Sequence, residues 1–221
     1  AGGSIPSSIP NQYHDVFRHA KAKPINEADK LELRRLYTTE ISKSEFELYL
    51  SKKKKNRAPA ASEIRIDHVC SASTAVKEGF RKLISIPYLT GLVYRDWRTE
   101  IINWIPKEAG NPDMDRRRPI ALLEVLRKMW LGIRKGPVQE IWVRNKYINA
   151  DNFAFLKGKS TSLPILIKKF ALEDANYFNK PIATLDVDLS KAYDKVPYHI
   201  KEMALRRFNL PEEGIGLWSA Y

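Results

Sequence analysis

The chain has 221 residues, 43% of them hydrophobic, which is enough for one large domain or two small ones with a real core. Its 38 Lys and Arg against 26 Asp and Glu leave a formal charge of +12. That surplus favours a polyanionic partner, nucleic acid first and an anionic membrane surface second. A single cysteine, Cys70, excludes a disulfide framework and a zinc cluster, and predicts a reducing intracellular setting, nucleus or cytoplasm. No apolar run reaches the roughly 18 residues that span a bilayer, so we expect no membrane partner.

The first third of the chain predicts helices and a basic loop. Residues 1–13 are rich in Pro and small side chains and are expected to be loose. Residues 27–50 show helical spacing of apolar side chains, and Ser42 or Ser44 is placed to cap a second helix there. The run KKKKNR at 52–57 predicts a basic loop, which the turn-like APAAS follows.

The middle of the chain predicts a helix and then a hairpin. Residues 74–93 have the periodicity of a helix, which we expect to break before Pro87 because the residue before a proline disfavours helical geometry. Residues 100–107 alternate as a strand, and 118–123 are a second strand candidate. The polar turn GNPDMDRRR between them predicts a β-hairpin.

The last part of the chain predicts helices around one strand. A basic amphipathic helix is expected at about 123–145, and SLPILIKKFALEDANYF predicts another after the loop NFAFLKGKSTS. The segment ATLDVD at 183–188 has the composition of a buried strand, and PYHIKEMALRRFNL predicts the next helix. Regular βαβ alternation is absent from this order, which favours an α+β fold over a doubly wound sheet.

Two acids in the strand candidate need an explanation. Side chains two apart in a strand share a face, so Asp186 and Asp188 point the same way, and a buried ionised carboxylate without a partner is costly. A structural explanation is that one acid caps the next helix while the other lies at a solvated rim. Three chemical ones are an aspartyl-phosphate phosphatase with D-x-D-x-[TS], a glycosyltransferase whose D-x-D holds a metal on a nucleotide sugar, and a polymerase whose strand-end Asp binds Mg²⁺.

The residues after Asp188 favour the polymerase. In DLSKAYD, Tyr193 follows Asp188 by five positions, where an aromatic ring can lie beneath the sugar of a bound nucleotide. Asp194 follows by six and is placed to cap the next helix. The phosphatase needs a Lys and further acids over a long span, yet 33 residues (221 − 188) follow Asp188. Nothing else in the chain suggests the nucleotide-sugar pocket of a glycosyltransferase.

Four segments in order resemble the fingers and early palm of a reverse transcriptase of the non-LTR retrotransposon and group II intron type. TLDVDLSKAYDKVP is similar to the family's LDxxKAFDxV motif, and INWIPK with RRRPIALLEVLRKMW resembles its iPK…RPIsLl…yK segment. NFAFLKGKSTSLPIL resembles QxGFrpgrsTxdAi, and KKKKNRAPAASEI resembles K.ApGpDgI. Ala60 stands where the family usually has Gly, and Asn152 and Ala154 stand where Gln and Gly are common. Those loops are expected to differ, since Gly permits a positive φ that Ala resists.

The resemblance implies a fold, a division of the chain and a function. The fold is the fingers and partial palm of a right-hand polymerase, with helices packed around a small antiparallel sheet. The chain divides into an N-terminal extension at 1–44, fingers at 45–180 and the start of the palm at 181–221. The implied activity is that of an RNA-directed DNA polymerase, which extends a DNA primer 3′-hydroxyl on an RNA template with dNTPs and two Mg²⁺ ions, or Mn²⁺.

The same resemblance assigns roles to individual residues. Asp188 is the catalytic carboxylate that binds metal, and the carbonyl of Leu189 is a candidate further ligand. Lys107 and Arg118 match a basic pair that clamps the dNTP triphosphate, Arg through its fork and Lys as a point charge. Tyr193 would lie under the dNTP sugar and exclude a ribose 2′-hydroxyl.

Template phosphates are expected to meet the basic loops, because such contacts give salt-dependent affinity with little sequence preference. The candidates in the loops are Lys54, Lys55, Arg57, Lys157 and Lys159. The basic helix is expected to add contacts from Arg127, Lys128, Arg134 and Lys135.

One part of the family pattern is missing from this chain. The family needs two more carboxylates from an [FY]xDD turn, and the chain contains no Asp-Asp pair. Because the chain starts with Ala and ends in GLWSAY without a polar tail, we expect a fragment that is inactive alone. The alternative is a non-catalytic nucleic-acid-binding module of the same fold, and an intact [FY]xDD downstream would favour the enzyme.

Overall fold

The structure, a computed structural model, describes residues 10–15, 22–54, 56–111, 113–154, 156–188 and 195–219. Within these ranges, short 3₁₀ turns lie at Asn11–Tyr13, Arg95–Arg98 and Met114–Arg116. The described residues also form eight α-helices and one antiparallel pair of strands, in the order α1 Glu27–Thr38, α2 Lys43–Ser51, α3 Ile66–Ser71, α4 Thr74–Thr90, β1 Ile101–Pro106, β2 Arg117–Leu122, α5 Val125–Arg144, α6 Ser162–Tyr177, α7 Tyr198–Arg207 and α8 Glu212–Ser219. The expected mixture of helices and a small sheet is confirmed. No helix in the described ranges is long and apolar enough to cross a bilayer.

Helices supply most of the hydrophobic core. Apolar side chains of α1, α2, α3, α4, α5 and α8, with a few from the connecting loops, form one buried cluster, in which the rings of Tyr88, Trp130 and Trp97 pack in succession with centroids 5.8 and 5.7 Å apart. Leu33 of α1 and Leu217 of α8 belong to the same cluster. One core therefore combines residues from all three segments predicted from the sequence, and the division into those segments stays a prediction.

The hairpin lies outside the core, which corrects the expectation of helices packed around a sheet. Its strands pair from Ile101 opposite Leu122 to Pro106 opposite Arg117, as the sequence predicted. Every residue of β1 is exposed, however. Two strands cannot enclose a core of their own, so the helices bury their apolar faces against each other and leave the hairpin as a projecting ribbon.

Helix α4 continues through Pro87 to Thr90, so the predicted break before the proline is wrong. A proline inside a helix leaves the carbonyl four residues earlier without its N–H partner. Here that carbonyl belongs to Leu83, and the hydroxyl of Tyr94 donates to it at 3.1 Å. The helix then ends at Gly91, which has a φ of 71° and donates its N–H to the carbonyl of Pro87.

Segment 183–188 forms no strand and is exposed, so the expected buried strand is also wrong. Leu185 and Val187 are 87% and 76% exposed. A strand needs a neighbour to take its backbone hydrogen bonds, and in the described residues the one sheet is β1 with β2, which does not extend to this segment. Alternating apolar residues alone do not make a strand when no partner edge is present.

Candidate nucleic-acid interface

A groove of about 790 Å³ runs between the 52–66 loop, the first half of α5 and the end of β2. Its floor is apolar and includes Met129 and Leu131 of α5. Two aromatic side chains, Tyr49 and Trp218, also line it. The groove thus offers an apolar surface with two aromatic side chains.

The charge on the rim of the groove is entirely positive. The loop contributes five cations, Lys52, Lys53, Lys54, Arg57 and Arg65, and two more, Lys128 and Lys135, come from α5. No Asp or Glu stands among the described residues that line the groove. A concave surface with a single sign of charge and aromatic rings is the arrangement that tracks a nucleic-acid backbone.

Two acids outside the groove hold its loop in place. The backbone N–H of Asn56 donates to Asp67 Oδ2 at 3.0 Å, and that of Ser62 donates to Glu124 Oε1 at 3.0 Å. Since Glu124 is the residue just before α5, the second bond joins the loop to the start of that helix. The positive φ angles in this loop fall at Asn56 (58°) and Glu63 (59°) and not at Ala60, the position where the family usually has Gly.

Tyr49 and Lys53 pack against each other on the cationic rim. The Tyr49 hydroxyl donates to the carbonyl of Lys128 at 2.9 Å, and burial raises the pKa of that phenol to about 12. The Lys53 Nζ lies 3.8 Å from the centre of the Tyr49 ring. Burial, and then the like charge of Lys135, lowers the pKa of Lys53 from its ordinary value. A ligand anion would favour the charged form of this lysine, because it would offset both effects.

Lys107 and Arg118 share one face of the hairpin. Arg118 pairs with Ile105, and the N–H of Lys107 donates to the carbonyl of Arg116 at 2.9 Å, so the ladder extends one residue past β1. Lys107 and Arg118 are therefore diagonal neighbours, a relation that places Cα atoms about 7–8 Å apart. Both are exposed, and neither forms an ion pair with any described carboxylate.

Arg127 and Arg134 of α5 are not available to a ligand, which corrects the expectation that they contact phosphate. Arg134 is 3% exposed and donates to Glu45 Oε1 at 2.7 Å. Arg127 is 9% exposed, with Glu100 at 3.8 Å. Lys128 and Lys135 of the same helix do line the groove. The sequence identified a basic helix, but not which of its cations point inward.

The structure places Lys157 and Lys159 away from the groove. They line a separate cleft of about 360 Å³ along the second half of α5, together with Glu140. Lys159 Nζ donates to the carbonyl of Ala150 at 3.2 Å and lies 4.9 Å from the ring centre of Phe153. The two loops expected to contact template are therefore not brought together.

The predicted metal ligands do not form a site in the described residues. Asp186 pairs with Lys168 Nζ at 2.9 Å, and Asp188 is exposed at the end of segment 183–188. No group of three potential metal ligands occurs among the residues that the structure describes. These side chains do not fit a two-metal centre. Lys55, Leu189 and Tyr193, which the sequence also singled out, lie outside the described residues.

A scan of protein-family models and a search of curated proteins give no match to this chain. The resemblance to reverse transcriptases therefore depends on the four motif segments alone.

Proposed function

We propose that this chain is the fingers and first palm segment of an RNA-directed DNA polymerase, and that its groove holds the template strand. The observation that carries the proposal is the groove itself, with its seven cations and no lining carboxylate among the described residues. The four motif segments in family order and the charge of +12 point the same way. Backbone phosphates neutralised in such a groove release counterions, which supplies most of the affinity for an arbitrary sequence.

The hairpin supports the second half of the proposal, the use of a nucleoside triphosphate. Lys107 and Arg118 lie diagonally on one face, so one triphosphate can contact both. Arg118 would bind phosphate oxygens through two parallel N–H groups, and Lys107 would act as a point charge. In a polymerase that contains this chain, Arg118→Ala should raise the KM for dNTP and leave template affinity nearly unchanged. An unchanged KM and rate would place Arg118 on a solvated surface.

The described carboxylates do not build a two-metal centre, so we derive no metal-bound step from them. We expect the 221-residue chain alone to extend no primer with Mg²⁺ or Mn²⁺. In a longer polymerase that contains it, Asp188→Asn should abolish extension, whereas Asp186→Asn should retain a substantial fraction. The opposite pattern would mean that the motif is read two residues out of register.

The groove needs no metal ligand to bind RNA, so it also fits a second candidate, a nucleic-acid-binding module without catalysis. Both candidates share the groove and its RNA affinity. They differ in whether the protein that contains this chain also carries an [FY]xDD turn. Template-directed incorporation by that longer protein supports the polymerase, and RNA binding without incorporation supports the module.

RNA affinity measured against salt tests the groove directly. If about six phosphates are neutralised, log affinity for single-stranded RNA should fall against log salt with a slope of about −4. Replacing Lys54 and Arg57 with Gln should make the slope shallower by about 1.4. The control replaces Lys30 and Arg35 of α1 with Gln. It changes the net charge by the same amount as the test variant, but outside the groove. Affinity that is independent of salt, or absent at low salt, would refute the proposal.

A further inference from the structure

The strand register gives the hairpin a second face, and Trp104 stands on it. Trp104 pairs with Pro119, and its side chain is 47% exposed. Trp97 and Trp130 are buried in the core, whereas Trp218 donates its indole N–H to the Tyr37 hydroxyl at 3.2 Å. Among the described residues, no ring packs on Trp104 and no acceptor takes its N–H.

The surroundings of Trp104 are apolar and cationic. Pro106 is two residues along the same strand, and Arg117 is opposite Pro106, so both share the face of Trp104. Neither strand, IINWIP or RRPIAL, contains an acid. A flat aromatic surface beside a cation, on strands that carry no acid themselves, suits a base whose own phosphates carry negative charge.

Trp104 also continues the cationic groove. Ile120, Ala121 and Leu122 of β2 line the groove, and the next residue of β2, Pro119, is the cross-strand partner of Trp104. At about 3.4 Å per residue, Trp104 lies within one or two residues of the end of the groove. Lys107 and Arg118 lie further towards the same turn. A strand that leaves the groove along this face of the hairpin therefore passes the indole, whereas Lys107 and Arg118 lie on the opposite face.

We propose that Trp104 is a stacking platform for an unpaired nucleobase of the strand held in the groove. This inference rests on the proposed RNA binding and adds the class of ligand, which is a single strand and not a continuous duplex. Inside a duplex both faces of each base are covered by neighbouring bases, so the indole has no free face to meet. Every base has a π-face, so the contact should tolerate any sequence.

The test compares stackable and non-stackable side chains on strands with and without bases. Trp104→Leu should weaken binding of oligouridine by about 5- to 150-fold, the range of a lost aromatic–base stack, and leave the salt slope unchanged because no phosphate contact is lost. Trp104→Phe should keep most of the affinity. A wholly abasic strand of equal length should bind both variants as it binds the wild type. Phe170→Leu on exposed α6 is the matched control and should change nothing.

Each result either supports the proposal or overturns it. Unchanged oligouridine binding by Trp104→Leu overturns it and leaves the groove standing, whereas wild-type protein that binds no strand overturns both. An equal loss on the abasic strand shows that Trp104 does not contact bases. If Trp104→Leu loses binding to anionic phosphatidylserine vesicles but keeps its RNA binding, the Trp104 face of the hairpin binds a membrane and the proposal is wrong. If Trp104→Leu does not fold, irradiating wild-type protein with bromouridine RNA should crosslink the peptide that contains Trp104, and a crosslink elsewhere alone refutes the platform.

Discussion

Replacing Arg134 should lower the free energy of unfolding without lowering the affinity of the protein for RNA. The guanidinium donates to Glu45 Oε1 at 2.7 Å and to the carbonyls of Thr39 and Glu40, each at 3.1 Å. It also lies 5.3 Å from the centre of the Tyr88 ring. One side chain of α5 thereby ties the end of α1 to the start of α2. Arg134→Met keeps the approximate volume and removes all of these bonds.

The loss of stability arises because Arg134→Met leaves the Glu45 carboxylate without its partner. Removing one partner of a buried ion pair costs about 3–5 kcal/mol, since the other charge stays uncompensated. The Glu45 side chain is 30% exposed and regains some water, which places the expected loss near the lower end, about 3 kcal/mol. For a chain of this size, that loss lowers Tm by about 6–12 °C.

Urea unfolding of four proteins measures the effect and its origin. Wild type, Arg134→Met, Glu45→Gln and the double variant form a cycle, and we expect the double variant to lose less than the sum of the single losses. Lys135→Met is the matched control, because Lys135 is the next residue and lines the groove. It should change stability by less than about 0.5 kcal/mol and make the RNA salt slope shallower by about 0.7.

The reverse pattern would refute this reasoning. If Arg134→Met unfolds at the wild-type urea concentration and loses salt-dependent RNA affinity, Arg134 contacts phosphate as the sequence first suggested. If Arg134→Met and Lys135→Met both lose RNA affinity and neither loses stability, the face of α5 that we assign to the groove is wrong.

Three further predictions concern single hydrogen-bonding or titrating groups. Tyr94→Phe removes the donor to the Leu83 carbonyl and should cost about 1 kcal/mol in urea unfolding, but less in a Pro87→Ala background, where an N–H at position 87 can satisfy that carbonyl; equal costs in both backgrounds would contradict this. A hydrogen bond from Asn145 is the largest of the effects that lower the pKa of buried Asp29. The ionised Asp29 carboxylate therefore stabilises the fold at a pH above its ordinary pKa of 3.8, and this stabilisation is lost as the pH falls through the lower folded pKa. In Asp29→Asn the free energy of unfolding should depend less on pH in that acid range, and an unchanged pH dependence would count against this assignment. In ultraviolet titration Tyr49 should ionise near 12, and Gly132→Ala should return its pKa towards 10.0, because the new Cβ would lie 2.6 Å from the Tyr49 hydroxyl and displace the ring; ionisation of Tyr49 near 10.0 in the parent protein would show that the ring is not buried.

Local patterns predicted the local structure well. The Ser42 cap is confirmed with its full capping box to Glu45, and the alternating strands at 100–107 and 118–123 do form a hairpin. These features depend on residues a few positions apart, which the sequence displays directly. Helix α3 and helix α8 were missed because each is short and shows little more than one or two turns of periodicity.

Features that depend on distant residues could not be predicted in the same way. The continuation of α4 past Pro87 needs a hydroxyl from Tyr94, outside the helix. The burial of Arg134 depends on where α1 ends and α2 begins, since the carbonyls of Thr39 and Glu40 and the carboxylate of Glu45 receive its N–H groups. The exposure of Trp104 is similar, because alternation placed it on a strand but could not show that both hairpin faces meet solvent.

The need for a metal at Asp186 and Asp188 depends on whether segment 183–188 is buried. In a buried strand, Asp186 and Asp188 would each need a metal or a partner to offset desolvation. In the described residues the segment is exposed, so neither acid incurs that cost, and Asp186 already has Lys168 at 2.9 Å. The acids therefore need no metal for this chain to fold. A polymerase requires the segment to gain a strand neighbour and Asp188 to gain further carboxylates, whereas a binding module requires neither. The groove is common to both, and what pairs with this segment decides between them.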